Sequence, residues 1–246
     1  LARVQIQLTV QNLRRDLERQ IVEQNSLIAD LQAYAHTVAH DLRSPIAGAL
    51  GVAQMLADEE ASLNEGERRE FVGLMNDSLH KAANIVSELL LLAEVRQADV
   101  AVEPVEMERV VAEAQQRVAP LLRDASATIT QPPVWPNVLG HAIWIEEIWV
   151  NYLTNAVKYG GKPPVIEMGA CAERDGVVRF WVRDNGAGLT AEQQATLFAP
   201  FTRLERTRAT GHGLGLSIVQ RIARKLNGQV GVESSGIPGQ GSTFFF

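Results

Sequence analysis

Cysteine, basic residues and long apolar runs are all scarce in this sequence. The single cysteine, Cys171, cannot form an internal disulfide bond, which fits a reducing compartment. Asp and Glu (29) outnumber Lys and Arg (23), and the net charge of −6 argues against nucleic-acid binding, which usually requires a basic surface. No apolar run approaches the roughly 20 residues of a membrane span. Because 46% of the residues are nevertheless apolar, we expect a globular, cytoplasmic chain that contacts neither nucleic acid nor membrane.

The first part of the chain also lacks glycine and proline, since neither occurs before Pro45. Apolar residues recur there in alternating steps of three and four, which predicts a coiled-coil helix over residues 1–30 that continues onward. The seam consists of Val10, Leu17, Ile21, Ile28, Leu31, Ala35, Val38 and Leu42. An amphipathic helix packed on its own domain is the alternative. Because the chain begins inside this pattern, we expect further sequence upstream.

A second long helix is predicted over residues 67–97, after a polar turn at 58–66. Two helices joined by a short turn form a hairpin that cannot bury its apolar face alone. Residues 31–97 therefore predict a dimerisation domain, in which two hairpins close a four-helix bundle. We expect a homodimer formed through residues 1–97.

The pattern changes after residues 98–105, a short mixed segment that we interpret as a linker. Helices and strands alternate over residues 106–246, which is a typical length for one domain. The predicted helices cover 106–122 and 142–159, and the strands lie near 127–130, 164–172 and 177–183, with a last one at the C-terminus. The predicted fold class is α+β: a helical hairpin followed by an α/β sandwich.

Two features of this framework suggest chemistry. Gly211, Gly213 and Gly215 alternate before an apolar run that predicts a helix. Glycines let a backbone approach a ligand closely, and the free N–H groups of a helix N-terminus suit nucleotide phosphates. The second feature is His40, because the carboxylate of Asp41 beside it can orient the imidazole. His36 and His40, at i and i+4, would also suit a metal ion, but no third ligand is evident nearby.

Five segments, in this order, resemble the motifs of the sensor histidine kinases of two-component signalling. The resemblance covers almost the whole chain from residue 30 onward. The segments are the phosphoacceptor motif His40-Asp41-Leu-Arg43-Ser44-Pro45, the asparagine motif Asn151 to Tyr159, the first glycine motif Asp184 to Gly188, the phenylalanine motif Phe198 to Phe201 and the second glycine motif Gly211 to Leu216. Each short motif alone is weak evidence, but five in the right order and spacing are highly specific.

The resemblance implies that residues 106–246 bind ATP together with Mg²⁺. It makes Asn155 the metal ligand, with Asn151 supporting the phosphate side, and it makes Asp184 the acceptor of a hydrogen bond from the adenine amino group. The arginine-rich segment after Phe201 resembles a lid over the triphosphate, with Arg206 and Arg208 as further candidates. The implied ATP-binding residues are Asn151, Asn155, Lys158, Tyr159, Asp184, Gly186, Gly188, Arg203, Gly211, Gly213, Leu214, Gly215 and Leu216.

The implied reaction transfers the γ-phosphoryl group of ATP to His40. Asp41 would orient the ring and act as general base. The phosphoryl group would then pass to an aspartate on the receiver domain of a separate response regulator. This reaction makes the chain an ATP-dependent protein-histidine kinase.

Three positions refine or depart from the family pattern. Ser44 stands where relatives with phosphatase activity often carry Thr or Asn, so its hydroxyl is a candidate for positioning water. Asn151 stands where related ATPases carry a glutamate base, and because an amide cannot act as a base, a kinase is favoured. His141 replaces an aspartate that is usual in the family. A hydrolytic ATPase and a nucleotide-binding dimer scaffold of the same fold are the alternative functions.

Overall fold

The structure is a computed structural model that describes residues 39–57, 63–97, 101–199 and 215–246. The described residues form two compact units, divided between Val86 and Ser87. The first, named the helical unit here, contains residues 39–57 and 63–86, and the second, the α/β unit, contains the described residues from 87 onward. The coiled coil predicted over residues 1–30 lies outside the described residues.

Two helices make up the helical unit. Helix α1 includes residues 39–57 and runs through Pro45, and helix α2 (Glu65–Gln97) extends past the division between the units. Helix α2 begins at a reciprocal cap, because Asn64 N donates to Glu67 Oε2 at 2.9 Å and Glu67 N donates to Asn64 Oδ1 at 3.0 Å. This cap explains why the helix begins slightly before the predicted residue 67.

The helical unit buries little of its apolar surface. Among its described residues, the buried apolar side chains are Ala49, Ala82 and Ile85. Larger apolar side chains on both helices are exposed, namely Ile46, Leu50, Met55, Val72, Leu74, Leu79 and Val86. Exposed apolar side chains repeated along two helices are typical of a surface that another element covers.

The α/β unit contains three longer helices and one short one among its described residues. The helices are α3 (Met107–Asp124), α4 (Ala142–Tyr159), α5 (Ala191–Thr196) and α6 (Gly215–Lys225), with a 3₁₀ turn at Arg174–Gly176. The strands are β1 (Glu103–Val105), β2 (Thr128–Thr130), β3 (Val138–Gly140), β4 (Val165–Ala172), β5 (Val178–Arg183), β6 (Gly231–Ser234) and β7 (Ser242–Phe245).

In the described residues these strands form two sheets. Five strands follow the order β2-β4-β5-β7-β6, in which β2 and β4 are parallel and the other neighbours are antiparallel. The strands β1 and β3 form a separate antiparallel pair, with Pro104 opposite Leu139. The register of the long pair places Met168 opposite Val182 and Gly169 opposite Trp181.

Most of the predicted elements of the α/β unit are present. The helix predicted at 142–159 is α4, and the strands predicted near 164–172 and 177–183 are β4 and β5. Strands β1, β3 and β6 and helix α5 were not predicted. Residues Glu103–Val105, within the segment interpreted as a linker, form β1 and pair with β3. Strands of three residues show too few alternations for a period of two to be detected.

Helix α4 lies at the centre of the α/β unit. Its buried residues recur every three or four positions and include Ile148, Trp149, Tyr152 and Leu153. The Trp149 ring is fully buried and contacts rings from the sheet and from a loop, with centroid distances of 5.2 Å to Phe246, 5.3 Å to Trp135 and 6.0 Å to Phe180. These contacts fix the buried face of α4 against the sheet.

Candidate functional site

The candidate phosphoacceptor lies on α1 of the helical unit. The His40 side chain is 75% exposed, and its Nδ1 lies 3.3 Å from Asp41 Oδ1. In the tautomer that makes this contact a hydrogen bond, Nδ1–H donates to the carboxylate and Nε2 carries the lone pair. An exposed ring with one nitrogen held by a carboxylate has its other nitrogen accessible to an incoming reactant.

Ser44 lies one helical turn after His40 and is also exposed. Residues four apart share one face of a helix, so the hydroxyl and the imidazole lie on the same side of α1. This placement is compatible with the predicted role of Ser44 in positioning water, which stays a prediction.

Asn151 and Asn155 lie on one face of α4 and contact each other. Asn155 Nδ2 donates to Asn151 Oδ1 at 3.1 Å. Since Asn155 donates through its nitrogen, its own amide oxygen is the atom that suits a cation. Gly215 packs against this pair, because a Cβ at that position would collide with the Asn151 amide. The structure thus brings the second glycine motif against the asparagine motif, more than 50 residues away in sequence.

The last turn of α4 carries Lys158 and Tyr159, both exposed. The Tyr159 carbonyl packs so closely on Gly186 that a Cβ there would collide with it. Gly188 has a φ of +77°, a conformation that residues with a Cβ rarely adopt. The asparagine motif and the first glycine motif therefore meet through backbone atoms, and Gly186 is required for their close approach.

Asp184 is the buried carboxylate of the candidate site, and only 7% of it is exposed. Its Oδ1 accepts hydrogen bonds from Gly186 N at 2.7 Å and from Ser242 N at 3.3 Å. Burial raises the pKa of the Asp184 carboxyl, and these two hydrogen bonds and the charge of Arg183 oppose the rise in part. A buried carboxylate held by backbone amides is suited to recognise a ligand that offers an N–H group.

The loop between β6 and β7 belongs to this site, although the sequence pattern did not assign it. Gly239 N and Gly241 N both donate to the carbonyl of Gly186, at 2.9 and 3.1 Å. Ser234 Oγ accepts from Leu189 N at 2.9 Å and donates to Gly241 O at 2.8 Å. A signal for this loop does exist in the sequence, since Gly236, Gly239 and Gly241 recur within six residues. By itself, such a run of glycines predicts only a turn, because it does not show which segment the turn packs against.

His141 occupies the N-cap of α4 without capping it. Its side chain makes no cap hydrogen bond, and within the described residues its buried Nδ1 has no hydrogen-bond partner. The ring instead packs beside Trp144, with 4.9 Å between centroids. An aspartate at this position would accept from the free N–H groups of the first turn. The departure from the family pattern therefore costs α4 a cap.

Several predicted residues lie outside the described residues. They are Arg203, Gly211, Gly213 and Leu214 of the implied ATP-binding set, Phe201 of the phenylalanine motif, the lid candidates Arg206 and Arg208, and His36. Gly215 and Leu216 are described and stand at the first turn of α6.

No group of three or more His, Cys, Asp or Glu side chains in the described part of the chain could hold a metal ion. None of the helices described is long and apolar enough to span a membrane.

Comparison with protein families identifies the class of each part of the chain. Residues 140–246 match the histidine kinase-, DNA gyrase B- and HSP90-like ATPase family, and residues 30–98 match the His Kinase A (phospho-acceptor) domain. The first match covers α4, Asp184 and the glycine-rich loops of the site just described. The second covers His40 and both helices of the helical unit.

Individual relatives agree with both matches. The sensor histidine kinase ZraS of Klebsiella oxytoca is 31% identical over 238 residues, which cover 96% of this chain and 49% of that relative. This chain thus spans about half the length of that relative. The chain belongs to the sensor histidine kinases of two-component signalling.

Solved structures show the same fold. Full-length ShkA in complex with AMPPNP has a TM-score of 0.62 and 29% sequence identity, covering 86% of this chain and 44% of that one. The histidine kinase ThkA in complex with the response regulator protein TrrA has a TM-score of 0.66 and 18% identity, covering 95% of this chain and 65% of that one. These likenesses support a helical N-terminal region followed by an α/β ATPase domain.

Proposed function

We propose that this chain is the part of a sensor histidine kinase that phosphorylates itself on His40 from ATP and passes the phosphoryl group to an aspartate of a response-regulator receiver domain. The observation that carries this proposal is the contact between His40 Nδ1 and Asp41 on an exposed helix face, in a chain that also has an ATPase-family domain. Because ATP is the donor, we place the reaction in the cytoplasm.

Asp184 is the group that would recognise the base. Its carboxylate is buried and held by Gly186 and Ser242, so it can accept a hydrogen bond from the adenine amino group. The neighbour ShkA was crystallised with AMPPNP, an ATP analogue, which supports the same class of ligand here. Asn151, Lys158 and the lid residue Arg203 are the proposed contacts of the triphosphate.

Asn155 fits the role of a Mg²⁺ ligand. Its nitrogen is engaged with Asn151, so its oxygen is the available ligand atom, and Mg²⁺ prefers oxygen ligands and usually arrives with phosphates. When bound, Mg²⁺ would neutralise charge on the phosphates. Gly215 permits this arrangement, since a larger residue would displace the Asn151 amide against which Asn155 is held.

The transfer step follows from the His40 geometry. With Nδ1–H donating to Asp41, the Nε2 lone pair attacks the γ-phosphorus, the bond from phosphorus to the β–γ bridging oxygen breaks, and ADP leaves. The Nδ1 proton passes to the Asp41 carboxylate, so the phosphorylated ring is neutral. The 3.3 Å distance between Nδ1 and Asp41 Oδ1 is compatible with this proton transfer.

Two residues bear on what happens to the phosphoryl group. Asn151 cannot remove a proton from water, which favours transfer to His40 over hydrolysis of ATP. Ser44, on the same side of α1 as His40, is proposed to position water when the response regulator is dephosphorylated.

The helical unit is proposed to form a homodimer. The His Kinase A match covers residues 30–98, and the apolar side chains that α1 and α2 expose would be buried if two hairpins closed a four-helix bundle. Leu50 and Ile46 lie one turn apart on α1 and belong to this surface.

Incubation with γ-labelled ATP and Mg²⁺ tests the proposal. We expect acid-labile, base-stable label on the unsubstituted chain and none on His40→Gln. His80→Gln is the matched control, because His80 is an exposed histidine on α2 and should keep the label. Release of phosphate without label on the protein would instead support the ATPase alternative, and nucleotide binding without either product would support the scaffold.

A further inference from the structure

Asn185 stands between Asp184 and Gly186, yet its side chain serves a different segment. Its Oδ1 accepts from Gly161 N at 2.8 Å and from Val165 N at 2.9 Å, and its Nδ2 donates to Pro163 O at 3.1 Å. One amide thereby satisfies three backbone groups of the segment between α4 and β4. These side-chain hydrogen bonds are additional to the backbone hydrogen bonds within helices and between strands that hold the rest of the unit together.

The segment held by Asn185 follows directly on the last turn of α4. That turn carries Lys158 and Tyr159, and the Tyr159 carbonyl rests on Gly186. The packing is close, since a Cβ at Gly161 would lie 2.6 Å from Asn185 Nδ2. Asn185 therefore joins the end of the asparagine-motif helix to the residue beside the base-recognising carboxylate.

The opposite side of Asp184 is held independently. Asp184 N donates to Ser242 O at 3.0 Å, and Ser242 N donates to Asp184 Oδ1 at 3.3 Å. Loss of the Asn185 contacts would leave Asp184 anchored to β7 and to the β4–β5 pair, but the segment after α4 would lose three of the hydrogen bonds that hold it beside Asp184. The distance between Asp184 and the end of α4 would then be held less tightly, by the packing of Tyr159 on Gly186 and of α4 on the sheet.

We propose that Asn185 is a positioning residue that sets the distance between Asp184 and the end of α4 and thereby determines selectivity for adenine over guanine nucleotides. The inference rests on the proposed function, because it takes ATP as the ligand. A carboxylate accepts from the adenine amino group but is repelled by the carbonyl oxygen that guanine presents at the same position. This discrimination requires the carboxylate to stay within hydrogen-bonding distance of the base while the phosphates are held at α4.

Two variants that keep the branch at Cγ separate this role from simple packing. Asn185→Leu keeps the shape of the side chain and removes all three hydrogen bonds. Asn185→Asp keeps the acceptor for Gly161 N and Val165 N, loses the bond to Pro163 O and adds a negative charge. The dissociation constants of ATP and GTP are measured on the full chain with Mg²⁺ at pH 8, together with the melting temperature.

We expect Asn185→Leu to weaken ATP binding about tenfold, the equivalent of one or two lost hydrogen bonds, while GTP binding changes little. The dissociation constant of GTP divided by that of ATP should therefore fall about tenfold. Asn185→Asp should stay within about threefold of the unsubstituted chain. Gln115→Ala is the control within the same unit: it removes contacts to Gln131 and Met168 and should leave the ratio unchanged.

The inference would be overturned if the ratio of the GTP to the ATP dissociation constant were the same in the unsubstituted chain and in Asn185→Leu, whatever the change in melting temperature. Equal losses in Asn185→Leu and Asn185→Asp would overturn it as well, because the acceptor would then not matter. An unsubstituted chain that binds no ATP would overturn the proposed function, and this inference with it. Binding is measured without phosphoryl transfer, so an inactive kinase that still binds ATP leaves the test intact.

Discussion

The helical unit and the α/β unit differ in how each treats its apolar residues. The α/β unit buries its largest side chains completely, with Trp149, Ile148 and Leu153 fully inaccessible to solvent. The helical unit leaves Leu50 58% exposed and Leu74 48% exposed. The α/β unit has a core within one chain and can hold a preformed nucleotide site. The helical unit has apolar surface left over, which is the physical reason that we propose a dimer around the candidate phosphoacceptor.

The largest effect should come from placing a charge on that surface. Leu50→Glu removes about 1.5–3 kcal/mol of apolar burial per chain from the proposed bundle, and a buried carboxylate costs several kcal/mol more. We expect the dimer to dissociate into monomers, measured by sedimentation at several concentrations. Leu139→Glu is the matched control, because Leu139 is 71% exposed in the α/β unit. Dissociation caused equally by both substitutions would contradict the contrast between the two units.

A cavity in the α/β core should produce the next largest effect. Trp149→Ala removes a ring that contacts Trp135, Phe180 and Phe246, and we expect a loss of about 3–5 kcal/mol in the free energy of unfolding. Ile143→Ala on the same helix should change it by less than about 0.5 kcal/mol, since that side chain is exposed. Denaturant titration compares the two variants. Similar losses would mean that α4 is not anchored by its buried face.

Asp184 should make stability and ATP affinity depend on pH in opposite directions, and Asp184→Asn tests both dependences. Because burial raises the folded-state pKa of Asp184, its contribution to stability is full below the ordinary value and is lost as the pH rises through the raised pKa. In the proposed function the charged form of Asp184 accepts the hydrogen bond from the base, so ATP affinity should fall as the pH falls through the same window. We expect Asp184→Asn to remove both dependences and to weaken ATP binding about tenfold or more.

Thermal unfolding and ATP binding, each followed from about pH 4 to 8, would check this prediction. Glu167→Gln replaces an exposed carboxylate on β4 and should leave both curves unchanged. Curves for Asp184→Asn that follow those of the unsubstituted chain would show that another group titrates in this window.

The smallest effect should be a gain in stability. His141→Asp supplies the cap that α4 lacks and places a negative charge at the positive end of the helix dipole, together worth about 1 kcal/mol. Loss of the ring contact with Trp144 opposes part of this gain. His141→Ala loses the ring without gaining a cap, so we expect the melting temperature to rank aspartate first and alanine last. An aspartate variant no more stable than the histidine chain would refute the missing-cap explanation.

Periodicity was most informative where elements were long. The eighteen residues of α4 and the β4–β5 hairpin were predicted nearly to the residue, because repeated burial along one face leaves a pattern in the sequence. Strands β1 and β3 left no such pattern, since each has three residues and the pairing joins positions about 35 residues apart. For this reason the sequence pattern shows no strand at residues 103–105, within the segment interpreted as a linker.

In the candidate site, too, local features can be predicted from the sequence and contacts between distant segments cannot. Short motifs that carry chemistry, such as His40-Asp41 and Asn151 with Asn155, can be recognised in the sequence because their members are neighbours on one helix turn. Contacts between distant segments leave no such record. The pairing of Ser242 with Asp184, and that of Asn185 with the segment after α4, join residues 58 and about 20 positions apart.

By itself, the sequence determined the order of the helical and α/β parts and the family to which the chain belongs, and it supplied the groups that we propose for phosphoryl transfer. Only the tertiary structure decided how those groups are held. Burial of Asp184 raises its pKa, Gly215 and Gly186 admit close approaches, and Asn185, next to Asp184, is hydrogen-bonded to the segment after α4. These properties arise from packing between segments distant in sequence, which local residue patterns do not encode.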